Sequence, residues 1–493
     1  MSSAGLWMLV ALGVAIVATG LPVWALLIGV ASLFSVIGVV AGAFDTSILA
    51  AASGRIVNLL DNDLLQALPL YVFVGVLLQR VAVGDALFAS AASLFRPTGA
   101  GEPLAALAVG TLIAPMNGSV ASSSALLSRL VAPRLGTMEP GGAIALVSAA
   151  ATIGVVVPPS LVLLLLGDAM LRAHTEASNL PGYAMAGERI VNTRDVLQAA
   201  LLPALCVLLA WGLVVWRTGR TARASQPVSP SRAQFGTAIT ATAVIVALLA
   251  AVFTGRLFAV EAAATAACLL VAWTVASRRL DRAQWHTVLF DTLALSGALF
   301  ALLVGATTFS LVLRLFATDR WLAEMILASP LSPLATAACV LLAVALCACV
   351  LDAFEMIFVV VPIVAPLLVL ELGDARQAAV LLLLVLQMSF LLPPMGYAVV
   401  MARSASRVPP VRTQALVRAL APFVGVQLAV IALVFAAPRM VHVLDEGNTA
   451  LNNTTPGAIA PTDADVTRQM EEMARPAEPE TEAAEPPQPA ASR

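Results

Sequence analysis

The sequence contains no lysine; all 27 of its basic residues are arginine. Charged residues of both signs make up only 11% of the 493 positions, against about 25% in an ordinary soluble domain. That shortage excludes a soluble globular protein. The net charge of −2 comes with no basic face, which argues against a nucleic-acid partner. Cysteine is equally sparse: Cys206, Cys268, Cys339, Cys347 and Cys349 all sit in apolar runs and are expected to behave as buried, inert small side chains. The three histidines, His174, His286 and His442, are scattered, so neither zinc nor haem is expected. What remains is 60% hydrophobic, with a mean hydropathy of +0.94. A bilayer-spanning helix needs about 20 mainly apolar residues, so the chain reads as an all-α polytopic membrane protein embedded in a lipid bilayer.

Apolar runs at 6–20, 23–43, 64–82, 196–216, 236–254, 257–276, 299–317 and 414–436 are ordinary spanning candidates. No charged segment precedes Leu6–Ala18, so this first run reads as a membrane segment rather than a cleaved signal. The stretches 46–62, 84–95 and 279–297 read as amphipathic helices that lie on the membrane surface or brace one half against the other. Four further stretches, 103–135, 141–172, 333–371 and 376–402, are long but interrupted in the middle. The breaks fall at Pro115 to Ser119, at Pro158 and Pro159, around Asp352, and at Pro393 and Pro394. Proline removes an amide donor and clashes with the preceding turn. Broken backbone at membrane depth is tolerated only inside protein or beside a water-filled cavity. Four such breaks point to a transport site.

Their spacing implies an internal repeat. Asn117 and Asp352 are 235 residues apart, as are Pro158 and Pro393, and the same offset aligns 66–94 with 301–329. If 103–135 and 333–371 are re-entrant hairpins and each broken helix crosses once, 14 arginines fall on one side and 7 on the other. The richer side is then cytoplasmic, and the repeats are inverted. The expected organisation is a first repeat over 1–217, a cytoplasmic linker over 218–234, a second repeat over 235–436 and a disordered acidic Pro/Ala/Glu-rich tail over 437–493.

Small polar groups cluster at the breaks. Asn117, Gly118 and Ser119 form the first hairpin tip, followed by Ser122, Ser123 and Ser124. Their oxygens and freed carbonyls suit a hard cation such as Na⁺, whereas helix N-termini suit an anion. The serines could equally ease close helix packing. Asp352 and Glu355 are the acids of the second tip; an intramembrane acid is costly and usually functional or paired. Glu355 could instead cap the returning helix. Thr152, Gly154 and Pro158 correspond to Gln387, Ser389 and Pro393 as candidate ion ligands, and Gly305, Thr307 and Thr308 form a third small-polar cluster. No nucleophile–base set stands out: Ser160 has no histidine on a plausible shared face. No enzyme and no bound cofactor are expected. The absence of a Walker motif leaves an ion gradient to drive uphill transport.

At this point the chain resembles the large membrane subunit of tripartite ATP-independent periplasmic (TRAP) transporters, the DctM type. The resemblance rests on Gly20 to Val23, Leu68 to Val72, Asn117 to Ala121, Thr152 to Gly154, Val157 to Ser160, Asp352 with Pro362 and Pro366, and Leu392 to Gly396. It covers about 1–436, with a tip that departs from the usual Gly-Ser-rich form. It implies a Na⁺-coupled importer of elevator type in the bacterial inner membrane, with a small membrane subunit and a periplasmic binding protein that delivers an organic acid. It further implies ion ligands among Asn117, Gly118, Ser119, Thr152, Gly154, Pro158, Asp352, Ser389 and Pro393. Substrate contacts are expected at Ser122, Ser123, Ser160, Met395 and Gly396. Alternatives of another kind are a stand-alone hairpin-type anion carrier and an intramembrane enzyme.

Overall fold

The computed structural model describes residues 3–45, 51–61, 63–81, 83–115, 119–135, 138–157, 160–178, 190–220, 230–349, 351–392, 396–405 and 411–444. Among these, all regular structure is helical. The chain opens with α1 (Ser3–Thr19), α2 (Val23–Val40), the short α3 (Ala51–Leu60), α4 (Asp63–Arg80) and α5 (Val83–Phe95). Then come two helix–break–helix pairs: α6 (Gly101–Ile113) with α7 (Val120–Leu130), and α8 (Pro140–Thr152) with α9 (Leu161–Ala177). The long α10 (Thr193–Gly219) follows.

The second half runs through α11 (Arg232–Phe253), α12 (Ala259–Ala276), α13 (Arg282–Leu315) and α14 (Thr318–Leu327). Two more broken pairs follow: α15 (Pro333–Ala348) with α16 (Ala353–Leu372), and α17 (Ala375–Ser389) with α18 (Tyr397–Ala405). Helix α19 (Thr413–Ala436) closes the bundle. Among the described residues six helices, α2, α10, α11, α13, α16 and α19, are long and apolar enough to cross a membrane. All four expected breaks interrupt helices.

Local chemistry sets many of the boundaries. Asn192 opens α10 by accepting from the Asp195 amide at 2.9 Å, while Asp195 Oδ2 accepts from the Asn192 amide at 3.0 Å. Ser231 with Gln234 and Asp281 with Gln284 make the same reciprocal pair at α11 and α13. Asp374 Oδ1 accepts from the amides of Arg376 and Gln377 to start α17. Each of these side chains satisfies donors that the first helical turn leaves free.

The centre of the protein is made by α8 and α17. Every residue of α17 except Arg376 is buried, as are eleven of the thirteen residues of α8. A helix that is apolar on all sides has no face to offer water and packs in the interior. Around this centre the two halves pack reciprocally. Helix α9 packs on α16 and α18 packs on α7; α2 packs on α13 and α12 packs on α4. The 18-residue helices α2 and α12 begin 236 residues apart, and α8 and α17 begin 235 apart. The spacing first visible around the breaks therefore extends to the start of the chain.

Three expectations are corrected. Residues 279–297 are no separate amphipathic helix; they are the first half of α13, a continuous 34-residue helix that also contains the run 299–317. No proline interrupts this stretch, and the Asp281–Gln284 cap starts the helix well before the apolar run. Residues 437–444 do not join the tail. Pro438–Val441 form a 3₁₀ turn, Val441 is buried, and His442 Nε2 lies 2.7 Å from Asp374 Oδ2. Finally, Cys268, Cys339 and Cys347 are exposed rather than buried, because each lies on the outward face of its helix. The rest of the predicted tail, 445–493, lies outside the described residues.

Candidate functional site

The predicted site residues fall in two groups, one in each half of the chain. In the first, Pro115 ends the α6 segment and Ser119 opens α7 in an extended conformation (φ −130°, ψ 135°). Ser119 O accepts from the Ser123 amide at 3.0 Å. Ser123 Oγ donates back across the break to Ala114 O at 3.4 Å, and Ser122 Oγ accepts from Gln79 Nε2 of α4 at 2.5 Å. The buried Ser124 Oγ has no hydrogen-bond partner among the described residues.

The second broken pair meets the first at Gly154. A Cβ at this position would lie 2.5 Å from the Ala114 carbonyl carbon and 2.7 Å from its oxygen. Only glycine permits that approach, which brings the 152–155 segment against the end of α6. Thr152 Oγ1 donates within its own helix to Ala149 O at 2.9 Å. Ser160, at the start of α9, keeps its buried Oγ without a partner among the described residues.

In the second half, Asp352 opens α16. Glu355 Oε2 accepts from the Asp352 amide at 3.0 Å, so Glu355 does cap this helix start. Asp352 Oδ1 is buried and unpartnered among the described residues. A π-helical turn, Met356–Val360, follows directly; such turns recur at functional sites. Tyr397, next to Gly396, lies within electrostatic reach of Asp352 and Glu355. Gly396 takes φ +40°, a conformation that favours glycine, and its carbonyl accepts from the Val399 and Val400 amides. Ser389 Oγ donates to Leu386 O at 2.8 Å. The predicted ligands Asn117, Gly118, Pro158 and Pro393, and the predicted contact Met395, lie outside the described residues.

Sequence reasoning missed Gln79 and Gln427. Gln427 Nε2 in α19 donates to Gln387 Oε1 at 2.8 Å and to Leu384 O at 3.1 Å. Gln427 and Gln387 are fully buried, while Gln79 is half-buried. A lone polar residue inside an otherwise apolar run was the available signal. Chemically, the described residues at the breaks offer hydroxyls, backbone carbonyls and a carboxylate oxygen, Asp352 Oδ1, with no partner among them. Oxygen sets of this kind are the ones hard cations take. Among the described residues no three His, Cys, Asp or Glu side chains gather to hold a softer metal.

The family described as the tripartite ATP-independent periplasmic transporter, DctM component, matches residues 9–440. The chain belongs to this family. Curated protein sequences give no significant match. Two solved structures share the fold of this DctM chain. The Alcanivorax borkumensis YdaH transporter, described as having an unusual topology, is 14% identical with a TM-score of 0.54, over 78% of this chain and 86% of its own. Neisseria gonorrhoeae MtrF, described within a class of antimetabolite efflux pumps, is 11% identical with a TM-score of 0.52, over 79% and 83%. At such identities the likeness is one of fold. Together with the apolar helices, the family makes this DctM chain a multi-pass membrane permease of TRAP type.

Proposed function

We propose that the chain imports a small organic acid across the bacterial inner membrane, driven by Na⁺, working with a small membrane subunit and a periplasmic binding protein that delivers the acid. The single observation that carries the reading is the buried Oδ1 of Asp352 at a helix break, without a hydrogen-bond partner among the described residues. A carboxylate oxygen withdrawn from water without a partner is costly; a coupling cation would satisfy it. Na⁺ would supply positive charge there, held by Asp352 and neighbouring carbonyls, and in the other half by Ser119, Thr152, Gly154 and their flanking carbonyls. The positive ends of α9 and α7, at Ser160, Ser122 and Ser123, suit the carboxylate of the acid.

The reciprocal packing of α9 on α16 and α18 on α7 supports a single inverted-repeat body built from the hairpins and broken helices. In this reading that body moves against the outer helices as an elevator, and ion and acid are linked through their shared occupancy of it. Reconstituted vesicles provide the test. Carboxylate uptake should need both an inward Na⁺ gradient and the partner proteins. Equal accumulation without Na⁺ overturns the coupling, and equal accumulation without partners overturns the tripartite assembly.

A further inference from the structure

A cavity of about 620 Å³ opens between α3, α9, α13 and α16. Its charged lining is Arg55 from α3, Asp168, Arg172 and Glu176 from α9, and Arg314 from α13. Arg172 is already held by Asp168 one turn earlier, at 2.7 Å. Arg314 pairs with Glu176 across 138 residues of sequence, joining α13 to α9. Arg55 has no hydrogen-bond or ion-pair partner among the described residues, yet lies close enough to feel both Arg314 and Glu176. The five side chains therefore sum to one positive charge, located at Arg55. The rest of the lining is largely apolar, with Ile357 and Phe358 from the π-helical turn that follows Asp352. Thr307, from the small-polar cluster of α13, adds a hydroxyl.

A guanidinium with no ion-pair partner among the described residues, beside a second one and over an apolar floor, is the arrangement that recognises one carboxylate on an organic body. Guanidinium groups bind carboxylates with short, charge-assisted hydrogen bonds. We propose that this cavity is a binding site for a small organic carboxylate, with Arg55 and Arg314 holding its charge and Glu176 as the counter-ion it displaces. The inference rests on the reading of the protein as an organic-acid carrier. It adds a site that the breaks themselves do not provide. Breaking Arg314–Glu176 would also release a contact between α13 and α9, which links arrival of the anion to separation of these two helices.

The test uses the full chain in detergent, with arginine labelling by phenylglyoxal read by peptide mass spectrometry. Acetate, lactate and succinate serve as probes, each against its amide. A carboxylate should slow labelling of Arg55 several-fold while its amide does not, and should leave Arg279, which does not line the cavity, unchanged. In calorimetry with the best-protecting probe, Arg55→Gln should weaken binding about tenfold, the scale of one lost charge-assisted hydrogen bond. Glu176→Gln should tighten it. Equal labelling of Arg55 with every carboxylate and its amide overturns the site, as does equal protection of Arg279. The readout needs neither a Na⁺ gradient nor partner proteins, so failure of Na⁺-coupled uptake and failure of this site are distinguishable.

Discussion

Gln427 and Gln387 meet amide to amide at 2.8 Å, one from α19 and one from α17, with no exposure of either. Gln387 stands 235 residues after Thr152, beside the last break, so this contact ties the most buried helix of the protein to its closing helix. It leaves Gln387 Nε2 and Gln427 Oε1 without partners among the described residues. Removing one partner of a buried hydrogen bond costs about 1–3 kcal/mol, whereas replacing both with apolar groups is far milder. Gln427→Leu should therefore lower stability by about 2 kcal/mol, and the Gln387→Leu/Gln427→Leu pair should recover most of it. Thermal unfolding in detergent reads both, and additive losses would show that the amides do not act on each other.

The contact of Gly154 with Ala114 predicts a sharp contrast between two glycines. Gly154→Ala pushes a methyl group into backbone and should cost about 1–3 kcal/mol, with loss of uptake as the two breaks are forced apart. Gly425→Ala, where a Cβ meets nothing within 4 Å, should be neutral or stabilising by about 0.5–1 kcal/mol, since glycine is the weaker helix former. Unfolding midpoints of the two variants side by side decide it.

Asp352 and Glu355 have different duties and should respond differently. Asp352→Asn keeps the shape but lowers the charge of the bare oxygen; the Na⁺ concentration for half-maximal uptake should rise tenfold or more. Glu355→Gln retains an oxygen to accept from the Asp352 amide and should leave Na⁺ dependence close to that of the parent. Glu355→Ala loses the cap at a cost of about 1 kcal/mol. Unaltered Na⁺ activation in the Asn variant would remove Asp352 from the ion site.

Trp211 anchors α10 to α19. Its indole N–H donates to Phe423 O at 3.0 Å, and its ring meets the Phe423 ring edge-on with centroids 5.6 Å apart. It is fully buried. Trp211→Phe removes the donor and should cost about 1–2 kcal/mol. Trp211→Ala also opens a cavity and should cost about 3–5 kcal/mol. Neither should change which ion activates uptake. A shift in Na⁺ dependence would give Trp211 a part in coupling.

The breaks were legible in the sequence because their cause is local. Proline and glycine interrupt a helix wherever they stand, and an apolar run announces a span by its length alone. The 235-residue offset was legible for the same reason, since it is carried by unusual residues at fixed intervals. The continuity of α13 was harder to read. Its first half is less apolar than its second, and polarity invites a boundary that the backbone has no reason to make. The outward cysteines and the packed 437–444 segment were also misjudged. Composition reports what a residue is, while burial depends on which helix lies opposite.

By itself the sequence determined that this is a helical membrane protein, broken in four places and built on a repeated plan. These properties follow from hydrophobicity and backbone chemistry along the chain. Only the tertiary structure decided which polar groups remain unsatisfied. Among the described residues Asp352 Oδ1 is bare and Gln387 is half-paired, and Arg55 stands beside an ion pair formed by residues far from it in sequence. Whether a buried polar atom has a partner is a property of distances between distant segments, and those distances exist only once the two halves have packed into each other.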